Sequence, residues 1–194
     1  RNSLARLCAE LSASESDGSC TFPPNATNIY LGHVAECLTD AFALALPHKA
    51  TVKLELVGPV ESPEFRLPFT DRAFTRLGST LTEVRLAHMP HITSALFQQL
   101  PRTLLELSMD TAQIFDEHIA HLPRRLHTAH LPQARKLTTA SLPHWPPHLT
   151  RLNLDLNDLI KEEDFPLVPQ SLRQPEVPES FLTANFFVSY GEAY

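Results

Sequence analysis

Histidine is the residue type in this 194-residue chain that most invites a search for chemistry, since it occurs ten times. His118 and His121 lie three residues apart, a spacing that could place two metal ligands on one helical face. The chain lacks the His-Glu-x-x-His order of zinc hydrolases, and the preceding Asp116 and Glu117 suit the first turn of an ordinary helix. We therefore expect no metal site and interpret both histidines as surface residues, with a pH-sensitive contact as the alternative.

Other signatures of catalysis are missing from the sequence. There is no phosphate-binding loop, no dinucleotide-binding fingerprint and no nucleophile elbow, and five glycines could scarcely build them. The three cysteines, Cys8, Cys20 and Cys37, form no Cys-x-x-Cys pair, and their irregular spacing favours free thiols, with one disulfide as the alternative. We therefore expect that the protein is not an enzyme and that it binds no cofactor and no small-molecule substrate. We expect an intracellular protein, cytoplasmic or organellar, with secretion as the alternative.

The charge balance also narrows the class of partner. The net charge of −6 disfavours non-specific binding to nucleic acid, which requires Lys and Arg to displace counterions. The pairs Arg124-Arg125 and Arg135-Lys136 are interpreted as solvated edges, so nucleic acid is expected at most peripherally. No apolar run approaches the roughly 20 residues that a membrane-spanning helix needs. Other protein subunits are the expected partners.

A recurring phrase shows how the chain is organised. Its clearest copies start at Leu100, Leu122 and Trp145, each followed by proline and, three residues later, by leucine. The leucines at 104, 126 and 149 are separated by 22 and 23 residues. A period of this size predicts a stack of similar units, each of which buries its apolar face against its neighbours.

Two apolar blocks alternate within this period. The first predicts strands, whose last two core positions are Ile29/Leu31, Leu54/Leu56, Val84/Leu86, Leu107/Met109, Ala129/Leu131 and Leu152/Leu154. The second predicts short helices within 38–46, 69–77, 92–100 and 137–142, with Thr or Asp as N-cap and proline beyond the last leucine. The turn-rich Gly58–Phe65 segment is an insertion, and a weaker seventh copy begins at Val168.

The pattern Leu-x-x-Leu-x-Leu after Leu-Pro, with Leu/Phe-Thr-Asp-x-Ala-Phe-x-x-Leu between copies, resembles the leucine-rich repeat family over roughly residues 22–172. The resemblance implies an α/β solenoid with a parallel concave sheet of about six short strands and short helices on the convex side, where His118 and His121 would lie. The family commonly places an asparagine two residues beyond the final leucine to tie successive loops together. Only Asn157 approaches that position, so the turns here must be satisfied in another way.

The strands also predict which side chains a partner could contact, because residues between the core positions point out of the sheet. Two columns of such residues follow from the register. One column reads Asn28, Lys53, Glu83, Glu106, Thr128 and Arg151, and the other reads Tyr30, Glu55, Arg85, Ser108, His130 and Asn153. Neighbours alternate in charge or polarity. They therefore form either self-neutralising ladders on a solvated sheet or a binding face for a protein segment.

The two ends carry a second set of candidate contacts. Residues 1–21 are predicted to be a capping helix, with Leu4, Leu7 and Leu11 on one stripe, followed by a polar connector. Residues 173–194 form a Pro-rich and aromatic extension. Its aromatic residues are Phe181, Phe186, Phe187, Tyr190 and Tyr194. Each end either caps the repeats or docks on another subunit.

These features predict a non-catalytic protein–protein interaction module. The favoured function is that of a scaffold or structural subunit of a larger assembly, for example a ribonucleoprotein or organellar complex. The alternative is the substrate-recognition part of a ubiquitin-ligase adaptor or a secreted effector.

Overall fold

The computed structural model describes most of the repeat region. The described residues are 26–32, 40–44, 46–47, 49, 51–57, 69–87, 89, 91–110, 113–155, 157–169, 171–172 and 174–176. The predicted N-terminal helix and connector, the three cysteines, the Gly58–Phe65 insertion and the five aromatic residues of the extension all lie outside this set.

Seven short strands form one parallel sheet within the described residues, in the order in which they follow one another along the chain. They are β1 (Asn28–Gly32), β2 (Lys53–Val57), β3 (Glu83–Ala87), β4 (Glu106–Asp110), β5 (Thr128–His130), β6 (Arg151–Asn153) and β7 (Gln174–Glu176). The chain therefore belongs to the α/β class, and the predicted parallel sheet is confirmed. The strand β7 is the seventh, weaker copy, and it pairs with β6 through the register Arg151↔Gln174.

One short helix lies between each pair of consecutive strands. The α-helices are α1 (Asp40–Leu44), α2 (Ser94–Gln99) and α3 (Asp116–Ile119), and the 3-10 helices are η1 (Asp71–Phe74), η2 (Thr139–His144) and η3 (Glu162–Leu167). Each helix packs on the next in chain order. Three of the four predicted blocks contain a helix, and the fourth, 137–142, overlaps η2, which continues to His144. Sequence reasoning missed η3 and recognised only the first turn of α3.

The recurring Pro-x-x-Leu phrase folds as a turn that leads into each strand from β4 to β7. The turn closes when the leucine amide donates to the carbonyl of the proline three residues earlier. This bond joins Leu104 to Pro101 at 3.0 Å, Leu126 to Pro123 at 3.0 Å, Leu149 to Pro146 at 3.1 Å and Leu172 to Pro169 at 3.0 Å. The leucine is at most 1% exposed in all four copies, so the phrase combines a turn with a core side chain.

A shared carbonyl holds the start of each strand against the unit before it. The carbonyl of Thr82, for example, accepts from the amides of Leu105 (2.8 Å) and Glu106 (3.0 Å). The same arrangement links Thr27 to β2, Val52 to β3, Leu105 to β5 and His127 to β6. Each unit is thus bonded to its neighbour before the sheet ladder begins.

The core lies between one face of the sheet and the helices. The predicted core positions that the structure describes are at most 3% exposed, from Ile29 to Leu154; the side chain of Leu31 lies outside the description. Helix residues such as Phe74, Leu96 and Ile119 belong to the same apolar cluster. The opposite face of the sheet is therefore left without a covering layer among the described residues. None of the described helices is long and apolar enough to cross a membrane.

Candidate functional site

The uncovered face of the sheet, which we call the strand face, brings the two predicted columns together. Their residues are direct neighbours across the strands. One column runs Asn28↔Lys53↔Glu83↔Glu106↔Thr128↔Arg151, and the other runs Tyr30↔Glu55↔Arg85↔Ser108↔His130↔Asn153. The predicted register is confirmed, whereas a role in binding stays a prediction. For Tyr30 the structure describes the backbone position only.

Two ion pairs on β2 and β3 neutralise part of the strand face. Lys53 Nζ lies 2.6 Å from Glu83 Oε2, and Arg85 Nη1 lies 3.4 Å from Glu55 Oε1. The hydrogen bond to Glu83 and its charge raise the pKa of Lys53 above its ordinary value. Apart from Glu55, whose side chain is 14% exposed, these groups are more than a third exposed. Solvent therefore screens the pairs, and each contributes little to stability.

Two charges on the same face are left without such a partner. Glu106 and Arg151 are exposed, and neither forms an ion pair within the described part of the chain. They belong to one column and are separated by Thr128. Two strand spacings place their backbones about 10 Å apart. A partner with a cation and an anion at that separation could neutralise both.

An open groove runs over this part of the strand face. It encloses about 300 Å³ and is lined by β2, β3, β4 and β5, including Glu106, Ser108 and His130. Leu54, Val84 and Leu107 are also among the lining residues, although their side chains are buried in the core. The groove is open and its lining is part polar and part apolar, so it suits the side chains of an extended contact better than it suits an enclosed small molecule.

The helix side of the sheet carries a different polar arrangement, which the sequence analysis did not find. The carboxylate of Asp116, in the first turn of α3, accepts from the amide (2.7 Å) and the hydroxyl (2.6 Å) of Thr138, the N-cap of η2. Thr138 Oγ1 accepts in turn from the amide of Ala140 at 3.3 Å. We call this two-bond arrangement the aspartate clamp.

The aspartate clamp occurs at three of the five joints between described helices. The other two pairs are Asp40 with Thr70 and Asp71 with Thr93, and both threonines are N-caps. The Thr-Asp dipeptide at residues 39–40 and 70–71 was the signal in the sequence for two of the three clamps, whereas Asp116 follows a phenylalanine. Sequence reasoning assigned these residues to capping within a helix, which is confirmed for the threonines, but it did not foresee that each aspartate binds the next unit.

Asn157 ties the last units together, as its position suggested. Its side chain is 1% exposed and donates to the carbonyls of Ala134 (2.7 Å) and Leu137 (2.9 Å) in the preceding unit. Its oxygen accepts from the amides of Leu159 (3.1 Å) and Ile160 (3.0 Å). The aspartate clamps thus join three pairs of helices, and Asn157 makes four bonds.

The interpretation of His118 as a surface residue is wrong. Its side chain is 3% exposed, while His121 is exposed as expected. The His118 ring stacks on Phe97 with centroids 4.8 Å apart and planes within 7°. Its Nδ1 accepts from the amide of Phe115 at 2.9 Å. The periodicity placed His118 on a short helix but gave no sign that a large aromatic residue of the preceding unit would cover it.

Burial lowers the pKa of His118 below its ordinary value, and the nearby charge of Glu117 opposes this effect. The ring therefore favours the neutral form, which the hydrogen bond from Phe115 to Nδ1 also requires. Within the described residues, no three His, Cys, Asp or Glu side chains come together as a metal site would need.

Two of the predicted contact regions, the Leu4–Leu11 and Phe181–Tyr194 segments, lie outside the described residues. No family model matches the chain, and a search of curated proteins finds no significant match.

Proposed function

We propose that this chain is a leucine-rich-repeat solenoid that binds other proteins without catalysis, as a scaffold or a structural subunit of a larger assembly. The in-register polar face of the sheet is the observation that carries the proposal. Its outward side chains alternate with buried core residues on every strand from β2 to β6. The repeated turns, the sequential parallel strands and Asn157 support the assignment to the repeat family.

The strand face is the surface assigned to the partner. The aspartates of the three clamps on the helix side bind the next unit, whereas the strand face offers Glu106 and Arg151 without ion-pair partners within the described residues. A protein segment that crosses the strands could place a basic group at Glu106 and an acidic group at Arg151. Such contacts select a partner mainly through charge complementarity, and they add less to affinity.

The two ends are assigned to the same assembly role. Leu4, Leu7 and Leu11 at one end, and the aromatic residues from Phe181 to Tyr194 at the other, supply the apolar groups that the strand face lacks. Buried aromatic residues contribute most of the energy at typical interfaces. The ends would therefore provide affinity, and the strand face would provide selectivity.

A pair of charge-exchange variants tests this proposal. In the first, Glu106→Arg and Arg151→Glu exchange the two open charges of the strand face. In the second, Arg135→Glu and Glu163→Arg do the same at exposed positions away from it. Both keep the net charge of the wild-type chain. Each protein would be used to capture partners from extract of the native source, with quantitative mass spectrometry and a thermal melt of each protein.

We expect the strand-face variant to lose the specific partners that the wild type and the second variant retain, with all three melting within about 2 °C of each other because exposed charges affect stability little. Retention of every partner by the strand-face variant would contradict the assignment of that face. Truncation of residues 1–12 or 179–194 then separates docking from capping, since loss of a cap lowers the melting temperature and loss of a docking segment does not.

A further inference from the structure

The joint between α2 and α3 differs from its neighbours in how it is closed. It has no aspartate clamp, because Ser94 stands where the clamp has aspartate and Phe115 stands where it has threonine. The amide of Phe115 donates instead to His118 Nδ1, and the His118 ring stacks on Phe97 of α2. One buried imidazole thus caps α3 and holds it against the preceding helix.

The hydrogen bond to Phe115 depends on the protonation state of His118. Nδ1 accepts a hydrogen bond only while it carries no proton, so the other nitrogen, Nε2, carries the hydrogen of the neutral ring. The nearest carboxylate oxygen, on Glu117, is 3.7 Å from Nε2 and belongs to a side chain that is 74% exposed. Protonation would turn Nδ1 into a donor facing the amide donor of Phe115, and it would place a charge in a site that excludes water.

The charged groups around the ring do not supply a strong partner for that charge. Glu117 on α3 and Asp71 on η1 favour the protonated form, while His121, just beyond α3, opposes it. Asp71 already accepts two bonds from Thr93. Lys136 lies over the ring of Phe115, with Nζ 4.6 Å from its centroid, and adds a second positive charge near the joint.

We propose that the α2–α3 joint is a pH-sensitive hinge. Mild acidification protonates His118, breaks its bond to the Phe115 amide and releases α3 from α2, while the joints closed by aspartate clamps stay shut. The folded pKa of His118 lies below the ordinary value of 6.5. The stabilisation is therefore complete above pH 6.5 and is lost as the pH falls towards the folded pKa.

Hydrogen exchange on the full-length protein, resolved by NMR at pH 7.5 and pH 5.0, tests this directly. The Phe115 amide reports on the hinge, and the amides of Thr93 and Thr138 report on clamped joints of the same molecule. After correction for intrinsic exchange rates, we expect exchange at Phe115 to accelerate at pH 5.0 by a factor of up to about 30. This limit is the ratio of protonated to neutral imidazole at pH 5.0 for an exposed histidine with pKa 6.5. Thr93 and Thr138 should change less than twofold. Equal acceleration at all three amides, or none at Phe115, would overturn the proposal.

Two variants then assign the effect to one ring. His118→Phe keeps an aromatic ring against Phe97 but cannot titrate, and His121→Gln removes the exposed histidine three residues away. The Leu122 amide, which donates to Ile119 at the end of α3, is the readout in both because it does not contact the imidazole. We expect acid-accelerated exchange at Leu122 to vanish in His118→Phe and to persist in His121→Gln. The reverse pattern would mean that another group controls the joint.

If His118→Phe does not fold, a pH titration of the wild-type protein still tests the proposal. With ¹³C-labelled histidine, the His118 ring signal should titrate at a lower pH than that of an exposed histidine. Exchange at the Phe115 amide should accelerate over the pH range in which His118, exposed when the joint opens, takes up a proton. A His118 ring that titrates above pH 6.5 would refute the hinge, since protonation would then close the joint.

Discussion

The two sides of the sheet both carry regular rows of polar residues, but those rows have different physical roles. On the helix side, Asp116 and Asn157 bind backbone groups of the neighbouring unit at half-buried or buried positions. On the strand face, Lys53 and Glu83 bind each other while both stay exposed to solvent. Hydrogen bonds to otherwise buried backbone groups are costly to remove, whereas exposed ion pairs are not. The helix side therefore contributes more to stability than the strand face, which we propose as the recognition surface.

Asn157→Ala should produce the largest loss of stability. Four hydrogen bonds end on this buried side chain, and its removal leaves two carbonyls and two amides of adjacent units without it. We expect a loss of about 3 kcal/mol in the free energy of unfolding, measured by urea denaturation at pH 7.

The near-isosteric Asn157→Asp keeps the acceptor bonds but faces the carbonyls of Ala134 and Leu137 with a carboxylate. It should be at least as unstable at pH 7 and should recover on acidification, when the protonated carboxyl can donate. A loss below 1 kcal/mol in both variants would contradict the structural role of this side chain.

Removal of one aspartate clamp should have a smaller effect. Asp116→Ala deprives the amide and hydroxyl of Thr138 of their acceptor, and we expect a loss of about 1.5 kcal/mol. Glu117→Ala is the matched control, because Glu117 is its exposed neighbour in the same helical turn. At pH 8, where His118 is neutral, this control should change the free energy of unfolding by less than 0.5 kcal/mol, as is typical of an exposed site. Equal losses in the two variants would mean that helix charge, and not the clamp, accounts for the effect.

Installing the missing clamp at the α2–α3 joint should give a modest favourable coupling between its two residues. Ser94→Asp with Phe115→Thr reproduces the residue pair of the clamped joints, and we expect a gain of about 1 kcal/mol beyond the sum of the single changes. Each single variant lacks half of the clamp and serves as its own control in this double-mutant cycle. Thermal and urea unfolding of all four proteins would measure the coupling. If the changes in the free energy of unfolding of the two single variants simply add up in the double variant, the clamp depends on more than these two residues.

The smallest effect is expected on the strand face. A double-mutant cycle with Lys53→Met and Glu83→Gln should give a coupling of about 0.5 kcal/mol or less, because both side chains are more than a third exposed. The coupling should also shrink in high salt, which screens exposed charges. A coupling above 1.5 kcal/mol would remove the contrast between the two sides of the sheet, since the strand face would then contribute to stability as the helix side does.

Much of the fold could be predicted from spacing alone. Leu107 and Met109, or Leu152 and Leu154, are buried because a parallel strand in a regular stack must alternate its core and outward positions, and that alternation is visible in the sequence. The register of Glu55 with Arg85 follows from the same counting.

The contacts between units could not be predicted in the same way. A carboxylate at the start of a helix has several potential acceptor roles, and whether Asp71 caps its own helix or binds Thr93 of the next unit depends on how closely the helices approach. The burial of His118 likewise depends on the size of Phe97, 21 residues earlier. The charged residues of the strand face could be read from the sequence. Which of them form ion pairs, and which do not, depends on contacts between strands that the spacing does not specify.

The placement of each clamp across a joint has a consequence for how such a chain could change in length during evolution. The donor, a threonine N-cap, and the acceptor, the aspartate of the preceding unit, are separated by one repeat, 22 residues from Asp71 to Thr93 and again from Asp116 to Thr138. Deletion of residues 94–115 would join Thr93 directly to Asp116 and recreate the Thr-Asp dipeptide. That deletion would remove Phe97 and Phe115, but it would leave all three clamps with both of their residues, so one unit could be lost without a compensating substitution in any clamp.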